Sequence, residues 1–245
     1  MGAFMLYSLR MLLMSVHFIL AGMIGILIGL CRPFNPDNSR LCGRIYSLPA
    51  MRILGFKVKA EIKDLLEHQR SCVIIANHQS NYDLFVFGGA VPARTVTIGK
   101  KSLKWIPFFG QLFWLAGNVL IDRGNSQRAK KAMLATTDTL QHKDTSIWVF
   151  AEGTRNKGRG LLPFKKGAFQ MAINAGVPIL PVCVSTYINH MQLNQWQGTE
   201  LLMKSLAPIP TVGLTQDDLP ALIEQCRNQM QACIQALDEQ LMQAR

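Results

Sequence analysis

The stretch CVIIANHQSNYD, residues 72–83, joins an apolar run directly to a histidine and an aspartate. An apolar run of this length that is bounded by polar residues is typical of a strand buried on both faces. His78 and Asp83 then stand five residues apart. On one helix they would point about 140° apart, so they can meet only if His78 lies in a turn and Asp83 in the first helical turn.

Two interpretations of this stretch are open at this point. In the first, Ser80 and Asp83 form a capping box at the start of a helix, and His78 is incidental. In the second, His78 and Asp83 form a catalytic pair at the mouth of a sheet, where ligands of α/β proteins collect. The two are compatible, because an aspartate in the first turn can cap the helix and also accept a hydrogen bond from His78.

Similar short apolar runs recur along the chain, with helical patterns between them. They predict strands at 56–62, 72–76, 95–99, 118–122, 146–150 and 178–185, and a weaker strand near 205–210. They predict helices at 83–90, 102–115 with a break at Pro107, 126–142, 166–175 and 216–243. This alternation favours an α/β fold with a mixed, mostly parallel sheet flanked by helices.

The N-terminal part has a different composition. Residues 11–31, MLLMSVHFILAGMIGILIGLC, contain no Lys, Arg, Asp or Glu. As a helix they cover roughly 30 Å, the thickness of the hydrocarbon core of a bilayer, which predicts a hydrophobic membrane-anchoring helix. Residues 38–54 mix arginines with apolar residues and predict a second, interfacial helix. We therefore divide the chain into N-terminal membrane-anchoring helices at 1–54 and an α/β domain at 55–245.

The charge is strongly positive: 26 Lys and Arg against 15 Asp and Glu, a net charge of +11. This excess suits a nucleic acid, an anionic membrane surface or a phosphorylated substrate equally well. Arginines follow the apolar segment at positions 32, 40, 44 and 52, whereas Arg10 stands alone before it. The positive-inside rule therefore predicts that the rest of the chain lies in the cytoplasm. The six cysteines show no metal-ligand spacing and are interpreted as reduced thiols.

Three further loops follow predicted strands. TIGKKSLKWIPFFGQLFW, residues 97–114, combines lysines with aromatics; it favours an interfacial segment, with a nucleic-acid surface and a core helix as alternatives. In GNVLIDRGN, residues 117–125, Asp122 and Arg123 leave a strand, and a surface ion pair explains them equally well. In VFAEGTR, residues 149–155, the glycine, hydroxyl and guanidinium after the strand are groups that grip phosphates.

Together these loops resemble the four motif blocks of the glycerolipid acyltransferases, most closely the bacterial 1-acyl-sn-glycerol-3-phosphate acyltransferases. NHQSNYD matches the NHxxxxD block, and GKKSLKWIPFFGQ with GNVLIDR matches the second. FAEGTR corresponds to the FPEGTR block, with Ala151 in place of proline, and VPILPV to the fourth. The blocks span residues 77–182 in the family's order, and the apolar N-terminal segment also fits the family.

The resemblance implies transfer of a fatty acyl group from acyl-CoA or acyl carrier protein to the sn-2 hydroxyl of lysophosphatidic acid. The product is phosphatidic acid, a precursor in phospholipid biosynthesis. It implies His78 as general base and Asp83 as its orienting partner, with no metal, no cofactor and no acyl-enzyme. The implied location is the bacterial inner membrane, with the catalytic domain on the cytoplasmic face, the bilayer as partner and no nucleic acid bound.

The resemblance also implies two substrate subsites. One would hold the acceptor's phosphate, through residues of the third and second blocks: Glu152, Gly153, Thr154, Arg155, Lys100 and Arg123. The other would line the acyl chain, through residues of the fourth block: Val177, Pro178, Ile179, Leu180, Pro181 and Val182.

Three alternatives remain beside this interpretation. The first is the same chemistry on another acceptor, such as glycerol 3-phosphate or another lysophospholipid. The second is a membrane-tethered basic protein that binds nucleic acid, which gives no reason for Asp83 and Glu152 to lie in the basic loops. The third is a metal-dependent phosphoesterase, which needs a clustered ligand set, whereas the blocks contain a single histidine, His78.

Overall fold

The computed structural model describes residues 2–68, 70–122, 124–125, 127–128, 132–133, 136–137 and 144–243. Arg123 lies outside the described residues. Of the predicted helix at 126–142, the pairs 127–128, 132–133 and 136–137 are described, and each is helical.

A twisted sheet of seven strands is present in the described part of the chain. The strands are β1 (Phe56–Glu61), β2 (Val73–Ala76), β3 (Thr95–Lys100), β4 (Val119–Ile121), β5 (Ser146–Phe150), β6 (Ile179–Val184) and β7 (Thr199–Ser205). Their order across the sheet is β1-β7-β6-β2-β5-β3-β4. Strands β6, β2, β5, β3 and β4 run parallel, while β7 is antiparallel to β6 and parallel to β1. The predicted mixed, mostly parallel sheet is confirmed.

Helices cover both faces of this sheet. They are α1 (Gly2–Cys31), α2 (Asp37–Leu54), α3 (Lys63–Glu67), α4 (Asp83–Gly88), α5 (Phe109–Leu115), α6 (Lys166–Ala175) and α7 (Leu219–Gln243), with 3₁₀ turns at Lys101–Trp105 and Gln216–Asp218. Alternate residues of β2 face opposite layers: Ile74 packs with α2, α4 and α5, and Ile75 packs with α6 and α7. The break predicted at Pro107 is confirmed, since Pro107 lies between the 3₁₀ turn and α5.

The weak strand predicted near 205–210 is wrong. The seventh strand ends at Ser205, and Ile209 forms an isolated bridge to Ile179. Pro208 and Pro210 flank Ile209 and have no N–H to donate to a ladder, so pairing cannot extend on either side.

Helix α1 has two different faces. Its inward face is buried at Leu6, Arg10, Met14 and Ala21, which recur at helical spacing. Its three inward glycines meet α5 or the residue before it: a Cβ on Gly22, Gly25 or Gly29 would lie 2.7, 2.6 or 2.7 Å from Phe108, Leu112 or Leu115.

The outward face of α1 is apolar and exposed. It carries the side chains Phe4, Met5, Tyr7, Leu9, Leu12, Leu13, Val16, Ile19, Leu20, Met23, Ile24, Leu27 and Leu30. By length and composition, residues Phe4–Cys31 form a helix that is apolar enough to cross a membrane. An exposed apolar patch of this size marks a contact with lipid or with another protein.

Helix α2 belongs to the main core. Cys42, Tyr46, Ala50 and Leu54 of α2 are buried in one hydrophobic cluster that includes Trp148 of the sheet. The N-terminal helices and the sheet therefore share a core, which places α2 directly against the helix that begins at Asp83.

Candidate active site

Three central strands end side by side at one edge of the sheet. The last residue of β2, Ala76, pairs with Phe150 of β5 and with Val182 of β6. A polar loop follows each strand, at residues 77–82, 151–165 and 185–198. The carboxyl ends of parallel strands form the crevice where α/β proteins bind ligands.

His78 and Asp83 form a hydrogen-bonded pair in this crevice. His78 Nδ1 lies 2.6 Å from Asp83 Oδ2. Because an ionised carboxylate oxygen only accepts, Nδ1 carries the proton and Nε2 is the acceptor of the ring. The His78 side chain is 18% exposed and that of Asp83 is 1% exposed. The pair therefore presents the imidazole to the crevice and keeps the carboxylate buried.

Asp83 makes the contacts that both interpretations of its sequence position predict, to the start of the helix and to His78. Its Oδ2 also accepts the backbone N–H groups of Gln79 at 2.6 Å and Ser80 at 3.1 Å. The bond from Ser80 is the one that a capping box supplies. Asp83 thus organises the start of α4 and holds His78 with the same oxygen.

Helix α4 is held in place by a close crossing with α2. A Cβ on Gly43 would lie 2.5 Å from the Gly88 carbonyl oxygen, and a Cβ on Gly88 would lie 2.6 Å from that of Gly43. Ser47 Oγ donates to the Phe85 carbonyl oxygen at 2.6 Å. Since only glycine allows this approach, the two glycines fix the height of Asp83 beneath His78.

The His78 ring is also fixed from the neighbouring strand. Phe150 stacks on it with ring centroids 4.1 Å apart and planes inclined by 15°. Stacking and the bond to Asp83 together restrain both side-chain torsions of His78. The imidazole is therefore held in one orientation by the protein itself.

Glu152 lies beneath the loops rather than on their exposed rim. Its Oε1 accepts the backbone N–H of His78 at 2.7 Å, and its Oε2 accepts that of Leu162 at 2.9 Å. The residue is 1% exposed. Burial raises the pKa of Glu152, while the hydrogen bonds from His78 and Leu162 lower it. Predicted as a phosphate ligand, Glu152 has both oxygens occupied by protein donors and supports the His78 loop.

The loop after β6 supplies a residue that sequence reasoning missed. Tyr187 is 1% exposed, and its hydroxyl donates to Asp83 Oδ1. The Tyr187 and Ser80 hydroxyl oxygens lie 2.6 Å apart. The available signal was position, because Tyr187 follows a strand that ends at the same edge as β2.

The rim of the crevice carries the predicted phosphate-binding groups. Thr154 and Arg155 are exposed, and Gly153 has a φ of 68°, which favours glycine. Arg155 Nη1 donates to Asn81 Oδ1, which brings its guanidinium to the loop of His78. Lys100 is exposed at the end of β3, one strand beyond β5 at the same edge.

An apolar cavity opens beside the pair and extends under α2, α4 and α5. Its volume is about 100 Å³. Its lining includes Asp83 and Phe150, which both contact His78. It also includes Ser39 and Asn118, where Ser39 Oγ donates to Asn118 Oδ1 at 2.9 Å.

The residues predicted to line the acyl chain lie elsewhere. Val177 and Pro178 precede β6, and the strand itself contains Ile179, Leu180, Pro181 and Val182. The four strand residues are buried between β2 and β7 in the sheet. None of the six lines the apolar cavity. Among the described residues, no group of three or more His, Cys, Asp or Glu side chains is placed to hold a metal ion.

Comparisons with known proteins agree with this architecture. Residues 57–185 match the family described as Acyltransferase. The chain is 41% identical over 237 residues to the 1-acyl-sn-glycerol-3-phosphate acyltransferase of Escherichia coli K12, covering 97% of this chain and 96% of that protein. It is 41% identical over 241 residues to the enzyme of the same name from Haemophilus influenzae, covering 97% and 98%.

A solved structure shows the same fold. It is the crystal structure of the 1-acyl-sn-glycerophosphate acyltransferase of Thermotoga maritima, which aligns with a TM-score of 0.72 over 99% of this chain and 96% of that chain. The two sequences are 22% identical, so this likeness supports the fold alone.

Proposed function

Because the chain belongs to the acyltransferase family, we propose that it transfers a fatty acyl group from a thioester to the sn-2 hydroxyl of 1-acyl-sn-glycerol 3-phosphate. The observation that carries the proposal is the His78–Asp83 pair between an apolar cavity and a rim bearing Arg155. An acyl transfer to a phosphorylated lipid needs these three parts together. The base activates the alcohol, the cavity takes the acyl chain, and the cation takes the phosphate.

The reaction follows from the tautomer of His78. Nε2 accepts the proton of the sn-2 hydroxyl as that oxygen attacks the thioester carbonyl carbon. General-base catalysis of this kind contributes typically about 10² to 10⁴ in rate. The tetrahedral intermediate then breaks its C–S bond, and the departing sulfur takes the proton from His78. Asp83 stabilises the imidazolium between these two steps, as the aspartate of a Ser-His-Asp triad does.

The substrate itself replaces the serine of such a triad, so the transfer is direct and no acyl-enzyme forms. The base and its orienter belong to the protein, and the thioester is already activated. We therefore propose that no metal and no cofactor take part.

Arg155 is proposed to bind the acceptor's phosphate. Its contact with Asn81 places it on the rim of the loop that carries His78. In lysophosphatidic acid the phosphate is on the carbon next to the one that bears the reacting hydroxyl, so phosphate and base sites must be close. A guanidinium can hold two phosphate oxygens at once, which also orients the glycerol. Thr154, Gly153 and Lys100 line the same edge and are proposed as further contacts.

The apolar cavity is proposed to hold the acyl chain of the donor. It begins at Asp83 and Phe150, so a chain inside it would leave its thioester carbonyl near His78. This assignment replaces the fourth block as the lining of the chain. The segment Val177–Val182 instead builds the central sheet that supports the loop after β6.

The protein associates with membranes, and we propose that it does so from one leaflet on the cytoplasmic face of the inner membrane. Arg10 of α1 is 5% exposed and donates to the carbonyl oxygens of Leu193 at 3.0 Å and Gln195 at 2.9 Å. The inward face of α1 packs along α2 and α5, so this helix lies against the domain. The outward face of α1 then meets lipid. Trp105, 76% exposed with Lys104 Nζ 4.4 Å from its ring centroid, suits the headgroup layer.

The test uses purified full-length protein in mixed micelles with labelled acyl-CoA or acyl carrier protein as donor. The acceptors are lysophosphatidic acid, glycerol 3-phosphate and a lysophospholipid with a choline headgroup. We expect phosphatidic acid to form at the highest kcat/KM, and His78→Ala to abolish it. A higher kcat/KM on glycerol 3-phosphate, or equal turnover by His78→Ala, would overturn the proposal.

A further inference from the structure

The hydrogen bonds around Asp83 form a network that extends beyond His78. Asp83 Oδ2 accepts three N–H donors, from the His78 ring and from the backbone of Gln79 and Ser80. Asp83 Oδ1 accepts the Tyr187 hydroxyl. The carboxylate is therefore approached from both sides, by its own loop and by the loop after β6.

The directions of these bonds are determined by the donors available. Since the Tyr187 proton goes to Asp83, the Tyr187 oxygen accepts from the Ser80 hydroxyl, 2.6 Å away. Ser80 Oγ in turn accepts the backbone N–H of Tyr82 at 3.0 Å. Each of these hydroxyls has a partner, which is what a buried polar network requires.

The position of Tyr187 is also held by contacts other than its own bond to Asp83. Its backbone N–H donates to Gln79 Oε1 at 3.1 Å, and Gln79 Nε2 donates to the Ser185 carbonyl oxygen at 2.8 Å. Its ring packs against Phe56 with centroids 5.9 Å apart. The hydroxyl is therefore aimed at Asp83 by groups that would remain if the hydroxyl were removed.

We propose that Tyr187 is a positioning residue of the acyl transfer, which tunes the basicity of His78 through Asp83. This inference rests on the proposed function, in which His78 is the base. A donor on Oδ1 draws negative charge away from Oδ2, so the carboxylate stabilises the imidazolium less than it would alone. Without this donor His78 holds its proton more tightly, and the base is blocked over a wider range of pH.

Other ionisable groups face this network from the elements around it. They are Glu152 and Arg155 after β5, Cys42 and Tyr46 on α2, and Tyr82 before α4. All of these groups are retained when the Tyr187 hydroxyl alone is removed. Burial, followed by the charge of Asp83, raises the pKa of Tyr187, so its phenol keeps its proton across the pH range of the assay.

The decisive experiment compares the pH profile of kcat/KM for wild type, Tyr187→Phe and a protein with 3-fluorotyrosine at position 187. Phenylalanine removes the donor and keeps the ring. Fluorotyrosine is the more acidic phenol and the stronger donor. We expect the acid limb of this profile, where kcat/KM falls at low pH, to move to higher pH by about 0.5 to 1 unit with phenylalanine. With fluorotyrosine it should move to lower pH. A role in packing alone predicts no movement in either variant.

The split between kcat and KM gives a second readout. We expect Tyr187→Phe to lower kcat roughly 3- to 30-fold above the acid limb, because Asp83 loses the hydrogen bond that fixes its Oδ1 and His78 is then held less firmly in the reactive orientation. KM for lysophosphatidic acid should stay the same, because Tyr187 is buried whereas Arg155 is exposed on the rim. Tyr82→Phe is the matched control: it removes a phenol from the same aromatic cluster, where the Tyr82 ring lies 6.1 Å from that of Phe56. Its acid limb should match wild type.

The outcomes separate this inference from the proposed function. If wild type transfers no acyl group, or His78→Ala transfers it equally well, the proposed function fails and the inference fails with it. If wild type is active and His78-dependent while both variants at position 187 keep the wild-type acid limb, the inference alone is refuted. Opposite shifts in the two variants support it.

Discussion

Replacing Asp83 by asparagine removes one charge and almost no volume. The amide oxygen of the new side chain can take the place of Oδ2 and accept from His78, Gln79 and Ser80 as before. Its NH₂ group then faces the Tyr187 oxygen, whose proton must turn to Ser80 Oγ. This rearrangement pairs the new amide with Tyr187 but takes from the Ser80 hydroxyl the acceptor that it has in the wild type, so we expect the variant to fold with a loss of about 1–3 kcal/mol in the free energy of unfolding.

The effect on turnover follows from the distance between the charges. The Nδ1–Oδ2 distance is 2.6 Å, and since both charges are delocalised their mean separation is nearer ~4 Å. At an effective dielectric constant of about 20, two unit charges at that separation attract by roughly 4 kcal/mol. If half to all of the imidazolium charge has developed in the transition state, Asp83→Asn loses about 2–4 kcal/mol, which lowers kcat about 30- to 1,000-fold.

The assay measures kcat at saturating acceptor and donor, with the thermal unfolding midpoint of each variant beside it. His78→Ala should lose about 10² to 10⁴ in kcat. The double variant should be no slower than His78→Ala alone, because the two residues act as one unit. If folded Asp83→Asn protein keeps kcat within about threefold of wild type, Asp83 only caps its helix and the catalytic pair is refuted.

Three further perturbations address the phosphate, the buried carboxylate and the acyl chain. Arg155→Ala should raise KM for lysophosphatidic acid about 10- to 100-fold, with partial recovery in Arg155→Lys, since an ammonium lacks the guanidinium fork. Glu152→Gln puts an amide N–H against a backbone donor and should cost about 1–3 kcal/mol in the free energy of unfolding at pH 7. Because the pKa of Glu152 is raised above its ordinary value of 4.5, wild type should gain stability over this variant as the pH falls from 7 toward 4.5, measured by unfolding midpoints. Ala116→Leu, at a buried position that lines the cavity, should shift kcat/KM toward shorter acyl donors by about tenfold, measured with a series of thioesters.

Each of these has a result that would contradict it. Arg159→Ala removes a charge from the same loop, and an equal rise in KM would show that Arg155 acts only through long-range potential. Glu200→Gln alters an exposed ion pair with Lys59 and controls for the pH dependence of other carboxylates. If the unfolding midpoint of Glu200→Gln changes with pH in the same way as that of Glu152→Gln, the raised pKa of Glu152 does not contribute to stability. Unchanged chain-length selectivity in Ala116→Leu would remove the cavity from the acyl-chain site.

The sequence predicts the α/β class and the first six strands well, because their apolar runs and turns are local signals. It misplaces the last strand: β7 is buried along much of its length, so it lacks the alternation that identified β1 on the edge of the sheet. Helix α3 has five residues, too few for a helical period to be visible.

In the candidate site too, contacts between residues close in the sequence are predictable, and contacts between distant residues are not. His78 and Asp83 are five residues apart, and one turn is enough to bring them together. Tyr187 lies 104 residues from Asp83, and a single tyrosine after a strand carries no pattern of its own. Glu152 is predicted as a phosphate ligand from its place in the third block, but the direction of its side chain depends on the backbone N–H groups of His78 and Leu162, which both donate to it. Contacts of this kind depend on the packing of the strands, which local patterns do not contain.

The two faces of α1 have a consequence for how this helix can change during evolution. On the inward face, Gly22, Gly25 and Gly29 leave no room for a methyl group, so selection there acts on shape and a single added carbon forces α5 to move. On the outward face a lipid environment asks only for apolar character, and leucine, isoleucine, methionine and phenylalanine are interchangeable. Related chains should therefore drift freely along one side of this helix and hardly at all along the other.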